Sequence, residues 1–194
     1  MGEHMGLEAK KFATYEDLLK VPDHLVAEII AGELITSPRP GPRHVRASSK
    51  LGIKIGGPFD EGSGGPGGWW ILDEPEIHFQ EDILVPDLAG WKKDIVSALP
   101  TSKHYFEIAP QWVCEVLSPS TAGLDRVKKL PVYLREKVDH VWLIDPISKT
   151  LEVYQRREGG WFLLATFAGN DPVRVAPFDA IEIDLGALWL PDEA

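Results

Sequence analysis

Two acids stand in strand-like runs of otherwise apolar residues: Asp87 in "ILVPDLAGW" and Glu115 in "WVCEVLSPST". A carboxylate in an apolar interior costs several kcal/mol unless a proton, a partner or a metal answers it. Two such strands side by side would bring both carboxylates to one point, where they cannot both stay ionised cheaply. A divalent cation with oxygen ligands resolves that conflict. Mg²⁺ typically takes one or two protein carboxylates plus waters and substrate phosphate. A second reading satisfies the acids separately, with Asp87 bonding backbone amides in a turn after Pro86 and Glu115 pairing with a lysine. Spacing alone leaves both open.

Directly after Glu115 comes "SPSTAGLDRVKKLPVYLREKV", a helix pattern with Ser118, Ser120 and Thr121 as candidate caps. Asp125 and Lys129 are four apart, as are Lys129 and Tyr133, so the three share a face. Leu124, Val127, Leu130 and Leu134 form the expected apolar stripe. The ordinary reading of Asp125–Lys129 is a surface ion pair worth less than about 1 kcal/mol. Pro131 predicts a kink, because a proline inside a helix loses a hydrogen bond and crowds the preceding turn. Such a kink would displace Lys129.

Cations cluster elsewhere. Arg39, Arg43, Arg46, Lys50 and Lys54 are spaced four, three, four and four, with no acid between the first and the last. On a helix beginning near Pro42, the last four make a stripe opposite an apolar face of Val45, Leu51 and Ile55, with Ser48 between them. Such a stripe suits a phosphate backbone, although a solvated helix face would look the same. The whole chain has a formal net charge of −10, so attraction to nucleic acid has to be local. Trp69, Trp70, Trp91 and Trp112 have the chemistry to stack on bases, with core packing expected for most of them.

The elements that must position these groups follow from pattern. A helix start at Thr14–Asp17 leads into a hairpin, "HLVAEIIAGELITSP", turning at Ala31-Gly32. The basic helix comes next, then the Gly-rich stretch 56–68, expected as a flexible loop able to close over a substrate. Strands are expected at "WWILDE", "EIHFQ", "DILVPDLAGW" and 111–117, with a loop over 92–110. A helix over 121–137, the strand "HVWLID", a hairpin through Glu158-Gly159-Gly160 and short terminal strands complete the order. This is one mixed α/β domain, 1–194, with a central sheet flanked by helices. "GSGGPGG" lacks the preceding strand and following helix of a phosphate-binding loop.

Composition narrows the classes. No stretch approaches the roughly 20 apolar residues of a membrane helix, and the first residues lack the apolar core of a signal peptide. One cysteine, Cys114, excludes an internal disulfide and a multi-cysteine zinc site, which suits a reducing cytoplasm. Strand alternation puts Cys114 on the face opposite Glu115, as a buried inert thiol. The apolar "LGALWL" and a flat sheet edge would suit a homodimer.

"VPDLAGW" followed by "PQWVCEVLSPSTAGLDRVKKLPVYLREKVDHVWLIDPISKTLEVY" resembles the Uma-two family of bacterial endonuclease-like proteins, within the PD-(D/E)XK restriction-endonuclease-like superfamily. Upstream, "AEIIAGELITSPRPGPRH" resembles the same family's beginning, and the likeness runs from about Tyr15 to Leu190. The resemblance implies a restriction-endonuclease-like fold and Mg²⁺- or Mn²⁺-dependent hydrolysis of phosphodiester bonds, in DNA. It assigns Asp87 and Glu115 to the metal, Glu28 to the acid of the first segment and His44 to a histidine at the following helix. Glu33 is expected to be structural. The superfamily's usual lysine lies two residues after the acid, where this chain has Leu117. The resemblance therefore gives the role to Lys129, with Lys128 as the fallback. Leu117 and Pro131 are the features that would favour a non-catalytic relative.

Overall fold

In the computed structural model, which describes residues 12–191, the expected hairpin pairs Leu25–Ile30 (β1) with Glu33–Pro38 (β2). Its turn residues Ala31 and Gly32 both take positive φ, 52° and 73°, as a two-residue connection requires. Before it lies Tyr15–Leu18 (α1), started by the reciprocal Thr14–Asp17 capping box.

Pro42–Ile55 forms α2, with Pro42 in the first turn, where its missing N–H costs nothing. The buried residues are Ala47, Leu51 and Ile55, whereas Val45 is 46% exposed. The packed face is thus rotated from the expected one. Arg43, Arg46, Lys50 and Lys54 are half-buried along its border, and Val45, Ser49 and Ile53 take the solvent side. The basic stripe flanks the core face instead of opposing it. The Gly-rich stretch also departs from expectation. Gly56–Glu61 continues α2 as a π-helical turn that buries Phe59. Asp60 ties it down by accepting from Lys93 Nζ (2.9 Å) and the Ile71 N–H (3.1 Å).

The remaining strands are Trp69–Asp73 (β3), Ile77–Phe79 (β4), Asp82–Leu84 (β5), Leu88–Lys92 (β6), Trp112–Val116 (β7), His140–Asp145 (β8), Thr150–Arg157 (β9), Gly160–Ala168 (β10), Pro172–Val173 (β11) and Ile183–Asp184 (β12). Six of them form the central sheet in the order β10-β9-β8-β7-β6-β3, and four form a smaller sheet, β2-β1-β5-β4. Only β7 and β8 run parallel in the large sheet. A helix over 122–135 (α3) makes the crossover between them. "DILVPDLAGW" is two strands, not one. Pro86 has no N–H for a ladder, and the chain passes there from the small sheet (β5) into the large one (β6).

One face of the large sheet packs on α2 and the C-terminal segment, where Trp112, Cys114 and Trp142 meet Leu51, Phe178 and Leu188. The other face packs on α3 and the small sheet, where Val113, Val141 and Leu143 meet Val132, Tyr133 and Ile30. Cys114 is buried on the first face, as alternation predicts, and burial pushes its thiol pKa up. The tryptophans are core residues. Trp91 and Trp112 are fully buried, and the Trp70 indole donates to the Val96 carbonyl. Leu185, Leu188 and Trp189 of "LGALWL" are buried in the chain's own core. Among the described residues, no helix is long and apolar enough to cross a membrane.

Candidate active site

The acids gather at the corner where the chain changes sheets. β6 and β7 pair with Leu88 opposite Cys114, and one step further the same register sets Asp87 opposite Glu115. Asp87 Oδ2 accepts from the Val116 N–H (2.7 Å), and Oδ1 lies 3.1 Å from Nε2 of His44 on the first turns of α2. Glu28 arrives from the small sheet, where β1 pairs β5 at Ile29–Ile83. Its Oε1 accepts from the Val85 N–H (2.8 Å).

α3 delivers the rest. Asp125–Lys129 winds as a π-helical turn in which the Leu130 N–H reaches back five residues to the Asp125 carbonyl. Pro131 then sits in the first turn of the α-helical part, Leu130–Arg135. Ahead of the proline the helix is widened into this π-helical turn, and Lys129 is aimed inward, 5% exposed. The expected apolar stripe is only partly buried: Leu124 and Leu130 pack against the core and Val127 is 72% exposed, while Asp125, Lys129, Val132 and Tyr133 are buried. A polar helix face is covered here because carboxylates wait beneath it.

Lys129 Nζ stands 3.0 Å from Glu28 Oε1, 3.3 Å from Glu115 Oε2 and 3.3 Å from Asp125 Oδ1. The Tyr133 hydroxyl donates to Glu115 Oε1 at 2.5 Å. Glu115 in its apolar strand is therefore answered by a lysine and a tyrosine, and Asp87 by a backbone amide and a histidine. Burial pushes the Glu115 carboxyl well above its usual range, against the pull of Lys129. Burial likewise raises Asp125. Burial alone would depress the Lys129 pKa, but the carboxylates of Glu115, Glu28 and Asp125 outweigh it and hold the ammonium charged. Burial first, then the adjacent Glu115, raises Tyr133 and keeps it a donor.

Glu28, His44, Asp87, Glu115, Asp125 and Lys129 line one cavity of about 220 Å³. Ser37, Arg39, Glu74, Ser118, Ser120 and Thr121 are the other polar residues of its wall. The sequence offered Ser118, Ser120 and Thr121 only as helix caps, and nothing in it marked Ser37 or Glu74. Glu74 is placed by a tight turn at φ 44°, with its N–H donating to the Asp87 carbonyl (3.1 Å). Lys128 points elsewhere, to Glu33 at 2.9 Å on β2, so the fallback lysine lies outside the cavity. Arg46, Lys50 and Lys54 run away from the cavity along α2. Arg43 borders an adjoining groove of about 380 Å³ that shares Gly41, His44 and Ser118 with the cavity and is otherwise walled by apolar residues, among them Leu117, Pro146, Ile147 and Leu190.

Among the described residues, no three His, Cys, Asp or Glu side chains converge to hold a metal ion unaided. Asp87 and Glu115 are nevertheless hard oxygen donors on one cavity wall. Two carboxylates completed by water and phosphate are a set that Mg²⁺ or Mn²⁺ accepts, so the residues fit a cation shared with substrate. Tyr133→Phe is expected to cost about 1–3 kcal/mol, since Glu115 loses its neutral donor without release to water. Denaturant unfolding checks this, and an unchanged midpoint would mean that the hydroxyl contributes nothing.

A mixed sheet whose central acids face a cavity beside a crossover helix is the architecture of restriction-endonuclease-like folds. A solved structure, described as a putative nuclease belonging to DUF820 from Anabaena variabilis ATCC 29413, has a similar fold, with a TM-score of 0.71 at 23% identity, over 91% of this chain and 97% of that one. The chain belongs to the Uma2 family, described as "Putative restriction endonuclease", which matches residues 12–186. No curated protein matches significantly.

Proposed function

We propose that this protein is a divalent-metal-dependent nuclease that hydrolyses phosphodiester bonds in DNA. The observation that carries the reading is a single cavity in which Asp87, Glu115 and Glu28 meet a buried, charged Lys129. Mg²⁺ or Mn²⁺, held by Asp87 and Glu115 with Glu28 as auxiliary, would supply an activated water and positive charge toward the phosphate. His44 and the Val116 N–H hold the Asp87 carboxylate in place, and Tyr133 does the same for Glu115. Lys129, kept as an ammonium by its three carboxylate neighbours, orients water and stabilises developing negative charge rather than taking a proton. Arg39 at the cavity wall and Arg43 at the adjoining groove offer local positive charge to a strand in an otherwise acidic protein.

A second reading, a nuclease-fold binding module without catalysis, draws on one observation: Lys129 is fully engaged by acids of its own chain. Calorimetric titration of Mn²⁺ into the wild type and Asp87→Ala separates the two. Heat in the wild type that vanishes in the variant is expected. No heat in either at millimolar Mn²⁺ would reject the metal-dependent reading.

A further inference from the structure

Three carboxylates surround one ammonium in this cavity, yet they do not hold it equally. Glu28 and Glu115 come from strands of the two sheets, and Lys129 approaches Glu28 most closely, at 3.0 Å. Asp125 shares a helix with Lys129, four residues back across the π-helical turn. Its Oδ1 lies at ion-pair distance, 3.3 Å, but receives no well-aligned hydrogen bond, although Asp125 is only 2% exposed. A buried carboxylate oxygen facing an ammonium without a formed bond is an acceptor with capacity to spare. A small rotation of the Lys129 stem would transfer the ammonium from Glu115 to Asp125 without breaking out of the cavity.

We propose that Lys129 is the resident cation of this site, occupying Glu115 and Glu28 until a divalent cation replaces it, and that Asp125 is the acceptor that then takes up the displaced ammonium. The inference rests on the divalent-cation reading above and adds to it a competition within the chain. Four acids and one lysine keep the cavity folded and neutralised as far as one charge allows. Exchange leaves Glu115 free to ligate while Lys129 stays within the cavity, available to a phosphate. In this scheme Asp125 is a positioning residue that acts only through Lys129. The widened turn serves it by setting both side chains on the cavity side of α3.

Lys129 and Asp125 should therefore affect metal affinity in opposite directions and not independently. The experiment is Mn²⁺ titration calorimetry on the wild type, Lys129→Gln, Asp125→Asn and the double variant, with thermal unfolding in EDTA and in Mn²⁺. Glutamine keeps a hydrogen-bond donor for the acids, which preserves folding where a shorter side chain would not, and Lys129→Met provides a second uncharged variant. Both uncharged variants are expected to bind Mn²⁺ at least about tenfold more tightly, and to regain in Mn²⁺ the thermal stability they lose in EDTA. Asp125→Asn is expected to weaken binding by about fivefold in the wild type and to lose most of that effect in the Lys129→Gln background. Equal weakening in both backgrounds would make Asp125 a direct ligand or field and overturn its role. Unchanged affinity in Lys129→Gln and Lys129→Met, with the wild type binding normally, would overturn the exchange itself. No binding in any of the proteins would overturn the divalent-cation reading on which the exchange rests.

Discussion

Replacing Lys129 by alanine is expected to lower the thermal unfolding midpoint, measured in EDTA by circular dichroism, by about 10 °C. The reason is an imbalance of burial. Glu28, Glu115 and Asp125 are between 2% and 4% exposed, and Lys129 is their common cation. Removing one partner of a buried ionic cluster strands the others, at roughly 3–5 kcal/mol, whereas the intact cluster need add little. The pH dependence has a definite sign. The folded pKa of Lys129 lies well above the ordinary 10.5, so its contribution is full below about pH 10.5 and is lost as pH climbs through the folded value. The gap between wild type and variant should be wide at neutral pH and close under strong alkali. A midpoint within a degree of wild type at pH 7 would mean that the cluster is held by something other than this ammonium.

Glu115→Gln should do the reverse, sparing the fold and removing the chemistry. Glutamine preserves the size of the side chain and keeps one carbonyl acceptor for Tyr133, while Lys129 retains Glu28 and Asp125 as partners. Because burial raises the Glu115 pKa, its charge is no net source of stability, and neutralising it should leave the midpoint close to wild type. Metal-assisted stabilisation of a phosphodiester transition state is worth several kcal/mol, so cleavage of a DNA substrate in Mn²⁺ should fall on the order of 10³-fold or more. Cleavage at the wild-type rate by a folded Glu115→Gln protein would remove Glu115 from the site.

Much of the site was legible because short-range rules govern it. Asp87 and Glu115 betrayed themselves as acids in apolar runs, and the four-residue spacing of Asp125, Lys129 and Tyr133 correctly put them on one side of a helix. The hairpin at Ala31-Gly32 and the Thr14–Asp17 capping box were readable for the same reason. What misled was solvent direction. Leu124 and Leu130 of the expected α3 stripe do pack against the core, but Val127 faces solvent, because a helix is amphipathic only with respect to what it covers, and α3 also covers carboxylates. The basic stripe of α2 was placed wrongly for the same reason, since Ala47 carries too little apolar surface to announce that it marks the packed face.

The sequence by itself determined which residues are candidates for the chemistry, because type and spacing act along the chain. It also indicated a mixed α/β fold with a central sheet. Only the tertiary structure decided how their charges are answered. The partners of Glu115 come from 14 and 18 residues away, and Glu28 meets Val85 across 57. Whether a buried acid finds a metal, a lysine or an amide depends on which strands lie side by side and how one helix turn is wound. Here the turn before Pro131 is wound as a π-helix, and Lys129 lies among Glu28, Glu115 and Asp125.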